Sequence, residues 1–207
     1  MNFLNSFQSE WLKKKRSLAN WLIVAGAFFT PSIILLSRIK NAEKLPSLYA
    51  SEDFWQMLWN QAWESMAVFL LPFGIILATA LLVQIEYKNN AWKQVHTTPQ
   101  GFATIFFAKF LVLLIMLVEV FVLFNAALYL AAVIPSMLFG NVPYPAAPIP
   151  YYRFLNANIN FFVDGLPILA LQYLISLQFK NFLVPVGGGF AIWFLGVGML
   201  AWPYSYL

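Results

Sequence analysis

The feature that most constrains the fold is an apolar run from Phe102 to Ile134. The run contains about 33 residues, and Lys109 and Glu119 are its only charged members. As a helix it would be roughly 50 Å long, which exceeds one bilayer thickness and predicts a strong tilt or a start that projects into the cytoplasm. A soluble domain could not cover such a surface, because only 10% of the residues are charged and soluble domains carry about 25%. The sequence therefore predicts an all-α integral membrane protein.

Further apolar segments predict a polytopic bundle of about five transmembrane helices. The predicted spans are residues 20–37, 62–85, 102–134, 161–179 and 182–203. About 20 residues are enough to cross the hydrocarbon core. Pro31 predicts a kink in the first span, and Pro72 with Gly74 predicts a bend in the second. The first apolar run is longer than a signal-peptide core and lacks a small-residue cleavage site, so we expect it to be retained.

The N-terminal residues 1–19 are predicted to form an amphipathic helix on the membrane surface. Its apolar stripe comprises Phe3, Leu4, Phe7, Trp11, Leu12 and Leu18, and its basic end comprises Lys13, Lys14, Lys15 and Arg16. Such a helix places its cations among anionic headgroups and its apolar face among acyl chains. The alternative is a solvated tail whose charges only set the topology.

The basic residues predict that the N-terminus is cytoplasmic, because cytoplasmic segments carry an excess of Lys and Arg. Eight basic residues fall on the predicted inner side: Lys13, Lys14, Lys15, Arg16, Lys88, Lys93, Lys109 and Lys180. Four fall on the predicted outer side: Arg38, Lys40, Lys44 and Arg153. Residues 38–61 and 135–158 are then outer segments, and the polar stretch 84–109 faces the cytoplasm.

The two outer segments have different predicted structures. Trp55, Trp59 and Trp63 are spaced by four residues, which places them on one helical face and predicts a short interfacial helix leading into the second span. Several prolines in 135–158 exclude a continuous helix there. Asp164, Gly165 and Pro167 are expected to interrupt the fourth span near its outer end.

The sequence contains little that could form a catalytic or cofactor site. The chain has no cysteine and a single histidine, His96, which in a polar loop is expected to be solvated. No glycine-rich loop is followed by Lys-Ser or Lys-Thr, so the chain lacks that device for binding ATP. The glycines from Gly187 to Gly189 lie in an apolar span and are expected to permit close helix packing. No cofactor is predicted in this chain.

Glu119 and Asn125 are the polar residues most in need of an explanation, because both fall inside the third span. An ionisable group at that depth is costly and should face the bundle interior or a watery cavity. Two interpretations remain open: a substrate or gating contact, or an interhelical hydrogen bond. Asn125 and Tyr129 lie one turn apart and would form a second polar stripe, also suited to packing.

Two polar segments give the chain a resemblance to a known family. The matching residues are Glu10, Lys13 and Arg16 before the first span, and Glu86, Lys88, Asn90, Trp92, Lys93, Pro99 and Lys109 between the second and third. With the topology, they resemble the permease subunits of ABC-2 type ABC transporters, and within these the small permeases of the lantibiotic (bacteriocin) immunity group. The family usually has six spans, whereas this sequence ends after the fifth predicted span.

The resemblance implies a division of labour between subunits. Residues 1–19 would be an elbow helix on the cytoplasmic side of the membrane, and residues 20–207 an ABC-2 type transmembrane domain whose loop 86–100 couples to the ATPase. A separate ATPase subunit would bind ATP and Mg²⁺, and two permeases would pair with two ATPases in the cell membrane. The expected partners are therefore that ATPase, a second permease and membrane lipids, with no nucleic acid. The implied cargo is an amphipathic molecule such as an antimicrobial peptide.

Other functions remain open at this point. A different ABC-2 exporter would move a drug, a lipid or a glycan. An intramembrane enzyme would need clustered polar groups at membrane depth, and Glu119 alone is too few. A scaffold or sensor subunit that does not transport is the third alternative.

Overall fold

Every regular element is helical in residues 3–88 and 101–200, which are the residues that the computed structural model describes. The α-helices are α1 (Phe3–Lys15), α2 (Leu18–Lys40), α3 (Leu45–Tyr49), α4 (Phe54–Ser65), α5 (Leu71–Lys88), α6 (Phe102–Leu138), α7 (Tyr151–Gln178) and α8 (Leu183–Leu200). A 3-10 turn, Ala42–Lys44, precedes α3, and a π-helical turn, Met66–Leu70, joins α4 to α5. The predicted all-α class is confirmed.

Four helical runs are long and apolar enough to cross a membrane, and the chain is a multi-pass membrane protein. These runs are Leu18–Lys40, Phe54–Tyr87, Phe102–Leu138 and Tyr151–Gln178. The shorter apolar helix α8 follows them and occupies the place of the fifth predicted span. Helices of this kind satisfy their backbone hydrogen bonds internally, which is what the interior of a bilayer demands.

The second and fourth helical runs begin earlier than the sequence predicted. The second run begins at Phe54, not near residue 62, because the tryptophan segment is continuous with the apolar span through the π-helical turn. The fourth begins at Tyr151, and none of Asp164, Gly165 and Pro167 interrupts it. Pro167 removes one backbone donor, but the hydrogen bonds on either side of it keep the helix in one piece. The non-helical part of the predicted outer loop therefore shortens to residues 139–150.

The chain divides into two compact units. The first unit comprises Met1–Leu22, Pro72–Met116 and Gly165–Leu207, and the second comprises Ile23–Leu71 and Leu117–Asp164. Because both units are built from separated segments, each brings together residues that lie far apart in the sequence.

Close packing in the first unit depends on one glycine of α8. A Cβ atom placed on Gly189 would overlap the side-chain oxygen of Gln172 and lie 2.9 Å from Ile76 Cγ2. The Gln172 amide also donates a hydrogen bond to the Pro185 carbonyl of α8 (3.0 Å). By contrast, a Cβ on Gly187 would meet nothing within 4 Å. The close approach expected of the glycine run therefore depends on Gly189.

We expect Gly189→Ala to lower the thermal unfolding midpoint in detergent, and Gly187→Ala to leave it unchanged or raise it. Alanine is favoured over glycine in a helix by about 1 kcal/mol, but overpacking costs about 1–3 kcal/mol. Overpacking is expected only at position 189, because a Cβ atom at position 187 meets nothing within 4 Å. Fluorescence-detected size-exclusion chromatography after heating measures both variants. Equal midpoints for the two would contradict the packing role of Gly189.

Candidate functional site: a buried charge cluster and an aromatic groove

Four charged side chains meet in the first unit and form what we term the charge cluster. Glu10 and Lys13 come from α1, Glu86 from the last turn of α5, and Lys109 from the start of α6. Lys13 Nζ lies 2.5 Å from Glu10 Oε1 and 2.9 Å from Glu86 Oε1. Lys109 Nζ lies 3.0 Å from Glu86 Oε1 and also contacts Glu10 Oε2. Each lysine therefore bridges both glutamates, and the four formal charges cancel.

The cluster is shielded from solvent. The side chains of Glu86, Lys109 and Glu10 are 0%, 1% and 4% exposed, and that of Lys13 is 27% exposed. Buried charges are tolerated when they are paired and hydrogen-bonded, whereas removal of one partner leaves an uncompensated charge and costs about 3–5 kcal/mol. Glu86 Oε2 is buried with no partner among the described residues. The cluster therefore joins α1 to α5 and α6 through interactions that are costly to break.

The sequence of α1 explains why its charges point inward. Ser6, Glu10 and Lys14 recur every four residues and are all buried, so one polar face of the helix packs against the protein. The apolar residues Phe3, Leu4 and Leu12 are exposed instead. A soluble amphipathic helix has the opposite arrangement. Exposed apolar side chains suit a helix on a membrane surface, and that placement of residues 1–19 stays a prediction.

Lys13 is held in its charged form by its two partners. Burial disfavours the ammonium group, but the carboxylates of Glu10 and Glu86 outweigh it and raise the pKa of Lys13 above its ordinary value of 10.5. A raised pKa in the folded state means that the stabilisation is present below pH 10.5 and is lost as the pH rises through the raised pKa.

The structure places the other residues of the predicted coupling and elbow segments in different environments. Glu86 lies inside α5 and is fully buried, so its side chain is not part of an exposed loop as the sequence suggested. Lys88 is the last residue of α5, and Arg16 is exposed in the turn between α1 and α2. The remaining loop residues lie outside the described residues: Asn90, Trp92, Lys93, His96 and Pro99. ATPase coupling by these residues stays a prediction.

Lys109 gains a role that its position in the sequence did not indicate. The sequence marked it as one of the inner-side cations near the start of a long span, whereas the structure makes it the buried centre of the charge cluster. The available signals were its place in a long apolar run and its membership of the residues that carry the family resemblance. Its pairing with Glu10, about 100 residues earlier, depends on tertiary contacts.

An aromatic groove of about 620 Å³ lies within the second unit. Residues of α4, α6, α7 and the segment before α7 line it: Trp55, Leu58, Trp59, Phe121, Val122, Asn125, Leu128, Tyr129, Ile149, Tyr151, Phe154, Leu155 and Asn158. None of these lining residues is charged. The groove is thus suited to the apolar part of a ligand.

Stacked aromatic rings form one wall of the groove. Trp59 stacks on Phe154 with ring centroids 5.5 Å apart, and Trp55 stacks on Tyr129 at 6.0 Å. Trp55 is also anchored by its indole nitrogen, which donates to the Ala147 carbonyl at 2.9 Å. The Trp59 indole nitrogen is buried and has no acceptor among the described residues. The shared face predicted for the tryptophans therefore packs against α6 and α7.

One polar pair lies in this apolar wall. The Asn125 amide donates to Asn158 Oδ1 and to the Phe121 carbonyl, both at 2.7 Å, and the Asn158 amide donates to the Phe154 carbonyl at 2.7 Å. Asn125 thus lines the groove and makes an interhelical hydrogen bond at once. Glu119 is half-buried on α6 and is not among the described residues that line the groove. A substrate role for either residue stays a prediction.

The fold and these two sites together indicate a class of protein. The described residues contain no group of three or more His, Cys, Asp or Glu side chains that could hold a metal ion. What they do contain is a multi-pass helical bundle, an apolar groove and charges buried at the helix ends that flank residues 89–100. This arrangement is typical of a membrane transport component.

The family of the chain follows from a comparison with family models. The model described as "ABC-2 family transporter protein" matches residues 6–196, and the chain belongs to this family. The chain is therefore the membrane permease component of an ABC-2 transporter, and membership implies an ATPase partner. The comparisons with curated proteins and with solved structures found no match.

We expect charge-cluster variants to be strongly non-additive. Lys109→Met should destabilise the protein by about 3–5 kcal/mol, because Glu10 and Glu86 lose a buried partner. The double variant Lys109→Met with Glu86→Gln should cost less than the sum of the two single changes. A thermal-denaturation double-mutant cycle in detergent measures this coupling, with exposed Lys180→Met as the control. Additive effects would show that the two residues do not act as a pair.

The raised pKa of Lys13 predicts an alkaline effect on stability. As pH rises from about 9 to about 11.5, the wild-type unfolding midpoint should fall more steeply than that of Lys13→Gln, which has no proton to lose at this site. Other lysines titrate in both proteins, so the difference between the two curves isolates Lys13. Parallel curves would contradict the pairing of Lys13 with Glu10 and Glu86.

Proposed function

We propose that this permease exports an amphipathic substrate, such as an antimicrobial peptide, and that a separate ATPase subunit drives it through residues 86–100. The observation that carries the proposal is the aromatic groove, with a volume of about 620 Å³ and a single asparagine pair in its wall. Ligand pockets for small molecules are about 300–1,000 Å³ and combine apolar walls with few polar groups.

The residues that line the groove favour the apolar part of such a substrate. Its aromatic walls offer stacking and apolar contact, and Asn125 with Asn158 offers amide hydrogen bonds. No charged residue among its lining would compensate a buried substrate charge. An amphipathic peptide would therefore insert an apolar side chain or segment and keep its charged residues outside. The groove has room for a segment of this kind and not for a whole peptide.

The charge cluster supports a mechanical role for the neighbouring segment. Glu86 and Lys109 lie on the two helices that flank residues 89–100, and both are ion-paired to α1. In the proposal, Glu86, Lys88, Asn90, Trp92, Lys93 and Pro99 belong to the element that couples to the ATPase. Movement of that element would displace α5, α6 and α1 together, since breaking the cluster is costly. Two permeases and two ATPases would form the complete exporter.

The test begins with affinity purification of the tagged chain from its native membranes, followed by reconstitution of the complex in proteoliposomes. A cationic amphipathic antimicrobial peptide, rhodamine 6G and a short-chain phospholipid are the three probes of ATPase stimulation. We expect the peptide to stimulate most. Trp59→Ala should raise the peptide concentration for half-maximal stimulation by about tenfold, since a buried aromatic contact contributes about 1–2 kcal/mol.

Two further variants separate substrate binding from coupling. Trp21→Ala removes an exposed aromatic residue outside the groove and should leave peptide stimulation unchanged. Lys93→Ala should reduce peptide-stimulated hydrolysis without weakening peptide binding. If no ATPase accompanies the chain, the proposed coupling is wrong. If the dye or the lipid stimulates and the peptide does not, the substrate class is wrong while the permease role stands.

A further inference from the structure

Arg38 is a buried cation without an acidic partner among the described residues. It lies in the last turn of α2 and is 8% exposed. Its Nη1 atom donates to Tyr49 Oη at 3.0 Å and to the Ala131 carbonyl at 3.4 Å. No described carboxylate lies within 4.0 Å of the guanidinium. This situation differs from that of the charge cluster, where every lysine contacts two glutamates.

Tyr49 cannot supply the missing negative charge. Its hydroxyl donates to the Ala132 carbonyl at 2.6 Å while it accepts from Arg38. Burial raises the pKa of Tyr49 above 10.0, although the Arg38 guanidinium opposes this effect, so the phenol stays neutral near pH 7. The rings of Tyr49 and Phe54 lie 5.4 and 4.9 Å from the guanidinium carbon and add cation–π attraction. None of these contacts neutralises the charge.

The guanidinium retains donors for a ligand. A guanidinium carries five N–H groups, and both hydrogen bonds that Arg38 makes to the described residues use Nη1. The donors on Nε and Nη2 have no acceptor among the described residues. Neither atom is among the fully buried atoms without a partner, so both can reach a ligand in an adjoining cavity, and a cation this far inside the protein is better tolerated when paired. An anion bound beside Arg38 would supply that pairing.

A polar cavity of about 630 Å³ adjoins Arg38 within the second unit. Its polar lining includes a second cation and neutral hydrogen-bonding groups: Arg38, Asn41, Lys44, Ser47, Ser51 and Gln61. None of the described lining residues is acidic. Lys44 is exposed, and the Asn41 amide donates one hydrogen bond to the Ser37 carbonyl at 2.8 Å, which leaves its second hydrogen available. The cavity therefore combines two positive charges with amide donors.

We propose that this cavity binds the phosphate of a phospholipid headgroup. The planar fork of a guanidinium matches a phosphate through two parallel hydrogen bonds, and a lysine adds a point charge. Arg38 lies at the end of a helix long enough to span the membrane, which is the level of lipid headgroups. Ile34 lies one turn earlier on the same helix and also lines the cavity, where it would contact the start of an acyl chain. The site is separate from the aromatic groove, with which it shares no lining residue.

Binding is measured on the delipidated full chain in detergent by native mass spectrometry and by thermal shift. The probes are dioctanoyl phosphatidylglycerol, dioctanoylglycerol and inorganic phosphate. The phospholipid should bind and raise the unfolding midpoint. Dioctanoylglycerol lacks the phosphate and inorganic phosphate lacks the acyl chains, so each should bind at least tenfold more weakly. Equal binding of phospholipid and dioctanoylglycerol would overturn the claim that the cavity binds phosphate. Equal effects of phospholipid and inorganic phosphate would overturn the claim that the ligand is a lipid.

Variants assign the binding to this cavity. Arg38→Gln should weaken phospholipid binding by about tenfold or more, since the variant loses the charge-assisted hydrogen bonds to the phosphate. Lys44→Gln alters an exposed side chain that the fold does not need, so it tests the site even if Arg38→Gln fails to fold, and it should weaken binding severalfold. Exposed Arg153→Gln is the matched control and should bind as the wild type does. Unchanged binding in Lys44→Gln, or an equal loss in Arg153→Gln, would refute the site.

Discussion

Backbone hydrogen bonds decide which structures this chain can form inside a membrane. In an apolar bilayer the peptide groups find no water, so each spanning segment must pair its own donors and acceptors. The long helices α6 and α7 follow from this requirement, and so does the continuity of α7 through Pro167. The same requirement joins α4 to α5 by a π-helical turn instead of a loop. Polar side chains inside the protein face a similar constraint, because they too need hydrogen-bond partners where water is absent.

Two groups of polar side chains inside this protein pair with one another in different ways. In the first unit, two glutamates and two lysines neutralise each other and connect α1 with the ends of α5 and α6 that flank residues 89–100. In the second unit, Asn125 and Asn158 pair without charge inside an aromatic groove. The buried ion pairs thus lie on helices that flank residues 89–100, and the neutral pair lies in the wall of the groove. Arg38 departs from both patterns, which is why it points to an external anion.

Much of the fold could be predicted from the sequence because its signals are local. Apolar runs located the helices near residues 20–37 and 102–134, and the four-residue spacing of Trp55, Trp59 and Trp63 placed them on one face. Helix boundaries were less accurate. Glycine and proline near residue 165 suggested an interruption, but in a spanning helix the cost of exposed backbone groups exceeds the cost of one missing donor. Glu86 was assigned to a loop for a related reason, since its polarity suggested solvent while its partners are inside the protein.

The amino-acid sequence alone was enough to predict a multi-pass helical membrane protein, and its family resemblance agrees with the match over residues 6–196. Hydrophobicity decides this, because it is a property of each segment independent of its neighbours. Tertiary contacts were needed to show that Lys109 meets Glu10 and Glu86, that Asn125 meets Asn158, and that Arg38 meets no carboxylate among the described residues. Pairing of charged and polar groups depends on distances of a few ångströms between residues far apart in the chain, and composition and periodicity carry no information about such distances.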